Sequence, residues 1–330
     1  MKQDLMIRLF RSIDGDKDDD IVKVASLIIE EEKKKGHDIL AGKLQQILNK
    51  NLISNQNFKG ELRKLLPKGV TIPSDKRNNS PLATSIEREE LRHEMVLPQS
   101  TENKIRRIEQ EYAAKERLAH YGLNYRQKVL IYGASGCGKS MSAERIAWNL
   151  GLPFLKVRFD VIMSSFLGET ASNLTNLFLG IKNYPCVLLF DEFDFLGKTR
   201  TNTQDVGEMH RIVNILLTLL EDYHSRGILI ATTNIENALD QALFRRFDDI
   251  IEMPMPGEEE ILRLTKQTLA SIDKSKSINW VTIVKQMEGM SSALVVKIAN
   301  DAAKNCVLCS DKLLTQKHFD QSLHENSLYR

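Results

Sequence analysis

Between residues 129 and 253, short apolar runs (VLIY, FLKVRF, CVLLF, GILIAT, DDIIEM) alternate with stretches whose apolar residues recur at helical spacing. Brief apolar runs bounded by polar turns read as buried strands, and the stretches between them as amphipathic helices. Strands alternating with helices predict an α/β fold, a parallel sheet sandwiched by helices. After MPMPGEEE the strand-like runs stop, and residues 258–330 keep a helical period with breaks near Ser271–Ser277, Gly289 and Ser310. Residues 1–66 also read as short helices. Ile21, Val24, Ala25 and Ile28 share one face between Asp20 as a cap and Gly36 as a stop, and Ile39, Leu40, Leu44, Ile47 and Leu48 repeat the pattern. The Pro-, Gly-, Ser- and Asn-rich stretch that follows reads as a linker. The expected organisation is a helical N-terminal domain (1–66), a linker (67–87), an α/β domain (88–256) and a small all-helical domain (257–330).

Composition narrows the class only slightly. The 330 residues are 42% hydrophobic and 27% charged, with a net charge of +2 from 46 basic and 44 acidic residues, so no global field draws the chain to nucleic acid. The start MKQDLMIRLFRSIDGD lacks the apolar core of a secretion signal, and no apolar run approaches membrane-spanning length. Four irregularly spaced cysteines make no disulfide framework. A cytoplasmic protein that binds no membrane is the expectation.

The chemistry concentrates where the first strand-like run ends. YGASGCGKSMSAERIA (132–147) matches G-x-x-x-x-G-K-[ST] between a strand and a helix opening at Lys139 or Ser140. Glycines let backbone N–H groups curl around phosphate oxygens, and the helix N-terminus adds its positive dipole end. The alternative, a plain Gly-rich turn, would not need the lysine and hydroxyl in that order. The candidate nucleotide-binding set is therefore Gly133, Ala134, Ser135, Gly136, Cys137, Gly138, Lys139, Ser140 and Met141. Lys139 would reach the β- and γ-phosphates, and Ser140 would ligate Mg²⁺. The strand CVLLF then ends in Asp191, a candidate Mg²⁺ carboxylate, and Glu192, placed to orient or deprotonate the attacking water. GILIATTN ends at Asn234, which could hold that water, contact the γ-phosphate or simply cap a turn. ALFRRFDD places Arg245 and Arg246 together, suited to phosphoryl-transfer charge or to a solvated surface.

In this order the parts resemble an AAA-family ATPase over about residues 88–308. GASGCGKS resembles the family's Walker A, with Ala134 and Ser135 in place of the usual prolines, and VLLFDEFD resembles Walker B. The resemblance implies that Asn234 is the first sensor and that Arg245 and Arg246 are arginine fingers reaching a neighbouring subunit's nucleotide. It also implies that SSFLGETASNL is a pore loop carrying Phe166, Leu167 and Gly168, although an isolated phenylalanine is also commonly a core residue. ERLAHYGLNYRQKVLIYG is similar to the family's lead-in, whose backbone around His120–Gly122, with Tyr121 and Gly122 as the binding residues, would pack on adenine. GMSSALVVKIANDAA is similar to the lid helix, but no arginine stands near its start and Lys297 lies further along. The implied cofactors are ATP and Mg²⁺, and the implied assembly is a homohexamer. The implied activity is ATP hydrolysis that remodels or unfolds a protein client through the ring's pore. The alternative is an ATP-gated scaffold that activates a partner, with hydrolysis only resetting it. The arrangement also resembles bacterial AAA ATPases encoded beside subtilisin-like serine proteases, which would make a serine protease the effector. Near-neutral charge and the absence of a helix-turn-helix pattern argue against a DNA-acting relative.

Two other signals are set aside. DGDKDD (14–19) begins like a calcium loop, but Asp19 and Ala25 stand where glycine and glutamate are required. Cys306 and Cys309 form a C-x-x-C with no second ligand pair nearby.

Overall fold

The computed structural model describes residues 72–75, 80–164, 169–193, 206–234 and 244–327. Within the first 69 residues it describes Ala25, Ile28, Ile29, Ala41, Gly42, Leu44 and Gln45. The acidic start at 14–19 and the pore-loop candidates Phe166, Leu167 and Gly168 lie outside the described residues. The chain divides into two units, 1–69 and 70–330. In the first, every described residue is helical, and Ala25, Ile29, Ala41 and Leu44 are buried.

The second unit is built on a sheet of β1 (Ala83–Ile86), β2 (Lys128–Gly133), β3 (Phe154–Val157), β4 (Val187–Phe190), β5 (Ile228–Thr233) and β6 (Asp249–Met253). Their spatial order is β1-β3-β4-β5-β2-β6. All neighbours run parallel except β1, which is antiparallel to β3. Parallel pairing needs crossovers, which the helices supply. α1 (Gln99–Ala113) and α2 (Lys115–His120) precede β2, and α3 (Lys139–Leu150) joins β2 to β3. α4 (Phe159–Ser164) and α5 (Glu169–Ile181) lie between β3 and β4, and α6 (Val206–Glu221) lies between β4 and β5.

Because side chains alternate across a strand, each central strand feeds two cores. Val129, Ile131, Val187, Leu189, Ile228 and Ile230 pack with Ile105 and Ile108 of α1 and Ile146 of α3. Leu130, Leu188, Phe190, Leu229 and Ala231 pack with Leu177 and Ile181 of α5 and with Leu216 and Leu220 of α6. This is why the runs read as continuously apolar and not as alternating.

Ala83–Ile86 falls inside the stretch expected to be a linker, yet it forms the sheet's edge, paired from Ala83↔Val157 to Ile86↔Phe154. Only Ala83 of these four is buried, and Thr84 and Ser85 are exposed, so the segment carries almost no apolar signal.

The helical end of the unit comprises α7 (Glu258–Thr268), α8 (Trp280–Met287), α9 (Ser292–Leu308) and α10 (Gln316–Glu325). Their starts are capped by side chains: Glu260 Oε2 accepts from Gly257 N at 3.0 Å, Asn279 Oδ1 from Thr282 N at 3.2 Å and Ser291 Oγ from Leu294 N at 3.4 Å. Ile261, Ile283, Met287, Val295, Ile298 and Phe319 form a separate small core. Cys306 is buried in it, whereas Cys309 is exposed at the end of α9.

Candidate active site

The parallel strands β2, β4 and β5 end on the same side of the sheet, in register. Tyr132 pairs with Thr233, and Phe190 with Ala231. The residues that follow these ends, Gly133–Ser140, Asp191–Glu192 and Asn234, therefore converge, at the place where open α/β sheets bind ligands.

The loop after β2 turns sharply into α3, which begins at Lys139. Gly133 has φ 146°, and a Cβ there would lie 2.3 Å from the Met253 carbonyl oxygen of neighbouring β6. Gly136 has φ 78°, and a Cβ there would lie 2.8 Å from Ser291 Oγ. Both positions need glycine for conformation and for space. Lys139 is buried beneath the loop, where its ammonium donates to Gly133 O (2.9 Å), Ala134 O (2.8 Å) and Asn234 Oδ1 (2.7 Å). Loop, lysine and strand-tip asparagine thus form one hydrogen-bonded unit.

Asp191 is the second hub. Its Oδ1 accepts from Ser140 Oγ at 2.7 Å and from Thr232 Oγ1 at 2.6 Å, and its Oδ2 pairs with Lys156 Nζ at 2.6 Å. Burial opposes its ionisation, but the hydrogen bonds from Lys156, Thr232 and Ser140 outweigh it and hold the carboxyl below the usual range. Glu192 is exposed, with φ 53°, and its N–H donates to Thr232 Oγ1 at 3.2 Å.

These groups line a cavity of about 660 Å³, within the range for a nucleotide-sized ligand. Its polar wall is the loop, Asp191, Glu192, Thr232, Thr233 and Asn234. The rest of the lining is mixed: Met95, Val96 and Leu97 from the segment before α1, Leu264 from α7, and Ala293 and Val296 from α9 are apolar, and Arg92, Glu94, Gln267, Thr268 and Ser292 are polar. A charged phosphate chain fits the polar set, and the apolar side chains suit a flat aromatic base. Ser140 and Asp191 offer hard oxygen donors beside the phosphate wall, the ligand type that Mg²⁺ takes alongside phosphate oxygens.

Other expected residues lie elsewhere. Tyr121 and Gly122 are not among the lining residues. Tyr121 is 74% exposed, and the Gly122 N–H closes onto Ala119 O as the end of α2, so this segment serves as a helix cap. Met95–Leu97, a short apolar run just before Pro98 and α1, does line the cavity. Cys137 does line the cavity, buried with its Sγ 3.5 Å from Met255 Sδ. Burial pushes its thiol up, against the thiolate form that oxidation requires. Arg245 and Arg246 sit on the turn before β6 and do not line this cavity. Arg245 is exposed, while Arg246 pairs with Glu221 at the end of α6.

Several residues were invisible to motif reading. Lys156 and Thr232 hold Asp191, and their only trace in the sequence is a polar residue inside or ending an apolar strand. Arg92 lines the cavity and donates through N and Nε, each at 2.9 Å, to Glu144 Oε2 of α3. Ala293 N, in the first turn of α9, donates to Gly136 O at 3.0 Å and ties the helical end to the loop. Lys297 is not among the lining residues.

Comparison with known proteins agrees with this geometry. A family model described as "ATPase family associated with various cellular activities (AAA)" matches residues 129–255. The chain is 32% identical over 314 residues to an uncharacterized AAA family ATPase, y4kL, of Sinorhizobium fredii, covering 95% of this chain and 92% of that protein. It is 30% identical over 233 residues to a proteasome-activating nucleotidase of Methanosphaerula palustris, covering 68% of this chain and 57% of that protein. It is also 30% identical over 219 residues to the 26S proteasome regulatory subunit 10B homolog A of Arabidopsis thaliana, covering 64% and 55%. The chain thus spans just over half the length of the two proteasome-related proteins.

Proposed function

The chain belongs to the AAA family of ATPases, and from that premise we propose that its ATP hydrolysis drives the remodelling of a protein client by an oligomeric ring. The observation that carries the chemistry is the convergence of Lys139, Ser140, Asp191, Glu192 and Asn234 on one cavity. ATP enters with its phosphates under the loop N–H groups and its base against Met95–Leu97. Lys139 exchanges carbonyl partners for phosphate oxygens. Ser140 and Asp191 would hold Mg²⁺, which supplies charge neutralisation on the phosphates. Glu192 orients and deprotonates the attacking water, and Asn234 fixes the geometry of that water or of the γ-phosphate.

Proteasome-related relatives support a protein as the client. Arg245 and Arg246 lie off their own chain's cavity, which suits arginines that serve a neighbour's nucleotide in a homohexamer. Phe166, Leu167 and Gly168 would grip the client in the pore, residues 1–66 would recruit it, and residues 257–330 would act as the lid. No described helix is long and apolar enough to cross a membrane.

The test is turnover under saturating ATP, with and without an unfolded polypeptide, for the wild-type chain and Glu192→Gln. Client-stimulated hydrolysis that Glu192→Gln abolishes, with ATP-loaded rings accumulating by mass photometry, supports the motor. Turnover indifferent to any polypeptide, with ring assembly on ATP alone, favours an ATP-gated regulator of a partner such as a serine protease.

A further inference from the structure

We propose that Thr232 is a positioning residue for hydrolysis, using one hydroxyl to fix Asp191 and Glu192 relative to each other. Thr232 lies near the end of β5 and is buried to 1% exposure. Its hydroxyl carries a single proton. Asp191 Oδ1, at 2.6 Å, is a carboxylate and can only accept, so that proton is committed to it. The lone pairs of the same oxygen face the Glu192 N–H at 3.2 Å. The Thr232 carbonyl then accepts from Phe193 N at 2.7 Å. One residue therefore holds three consecutive residues of the acidic turn.

The turn needs holding. Glu192 has φ 53°, a left-handed conformation that a non-glycine residue adopts only when its surroundings impose it. β4 ends at Phe190, and in the turn that follows this twist leaves the Glu192 side chain exposed on the cavity wall and lets the chain rejoin the core at Phe193, which is buried to 1%. Without an acceptor for the Glu192 N–H, the turn can relax toward ordinary backbone geometry and carry the carboxylate away from the water's position. Lys139 is held by Gly133 O, Ala134 O and Asn234 Oδ1 and not through the Thr232 hydroxyl, so the triphosphate should still bind where the chemistry fails. That affinity is to be read without Mg²⁺, because Ser140 and Thr232 share Asp191 Oδ1.

The inference rests on Glu192 as the group that activates water. Thr232→Val keeps the side-chain volume and removes the hydroxyl, and Thr232→Ser keeps the hydroxyl. The expected result for Thr232→Val is a fall in kcat of about tenfold to a hundredfold, as for a misplaced reacting group, with KM and ATP-analogue affinity within about threefold. Thr232→Ser should recover most of kcat. In a Glu192→Gln background, Thr232→Val should add little further loss, because both changes disable the same group. Unchanged kcat in Thr232→Val overturns the proposal, as does an equal loss in Thr232→Val and Thr232→Ser. Should the valine variant fail to fold, Thr232→Ala against Thr232→Ser makes the same comparison. Wild-type turnover in Glu192→Gln alone would instead refute the role given to Glu192, a result separate from either outcome at Thr232.

Discussion

At the scale of single residues, the centre is a contest over the charge of Asp191. Burial raises the cost of ionising it, and three donors from three strands or helices reverse that cost. The folded-state carboxyl ionises more readily than its ordinary value of 3.8, so its contribution to stability is full above that value. The contribution is lost as pH falls through the lower folded value. Lys156→Met removes the strongest of the favourable partners and leaves the burial in place. The folded-state value should rise, and acid unfolding followed by circular dichroism should begin at a higher pH than in the wild-type chain. An unchanged acid limb would mean that Lys156 does not govern the ionisation of Asp191. Lys156 also shows what a motif cannot carry. The convergence of Lys139, Ser140, Asp191 and Glu192 on one cavity was legible because the expected phosphate chemistry demands those residue types at that spacing. Lys156 and Thr232 act on the same centre from strands adjacent in space, and nothing local in FLKVRF or GILIATT marks them as partners of an aspartate 35 and 41 residues away.

At the scale of elements, the central strands were legible because burial on both faces leaves long apolar runs, and the helices because their stripes repeat at helical spacing. β1 was not, since an edge strand with two exposed polar residues among four looks like a loop. Met95–Leu97 went unread for a related reason: it lines the cavity with three apolar side chains just before Pro98, and so short a run carries no motif. The tie between α9 and the phosphate loop was also hidden, because it is a backbone hydrogen bond from Ala293 N to Gly136 O. It leads to a controlled comparison between two glycines. Gly136 and Gly122 both have positive φ, 78° and 70°, so alanine at either carries about 1–3 kcal/mol of left-handed strain. At Gly122 the new Cβ meets nothing within 4 Å, whereas at Gly136 it meets Ser291 Oγ at 2.8 Å and the Ala293 Cβ at 3.1 Å. Gly136→Ala should speed amide exchange in the first turn of α9 and weaken ATP-analogue binding, beyond any effect of Gly122→Ala. Equal exchange in the two variants would show that the loop does not hold the helical end in place.

At the scale of the whole molecule, the question is whether one chain can complete its own reaction. The cavity is lined by Lys139 and by Arg92, whose guanidinium is engaged by Glu144 of α3. Arg245 and Arg246 stand on a turn outside that cavity. Arg245 is the cleaner probe, being exposed, whereas Arg246 also pairs with Glu221 and its loss would disturb the end of α6. Arg245→Ala should therefore leave the melting temperature and ATP-analogue affinity nearly unchanged. If its guanidinium completes a neighbour's site, turnover should fall by a large factor, on the order of 10³ for a fully engaged arginine finger. Mixing separates an arginine that acts between chains from one that acts within its own. A Lys139→Ala chain cannot use ATP but still presents Arg245, and an Arg245→Ala chain keeps an intact phosphate loop but presents no arginine at that position. Each alone should be nearly inactive. Mixed rings contain junctions in which the intact loop of one faces the intact arginine of the other, so activity should return in proportion to the frequency of those junctions. Mixed rings demonstrated by mass photometry, yet without recovered turnover, would confine Arg245 to its own chain and remove the chemical reason for a ring.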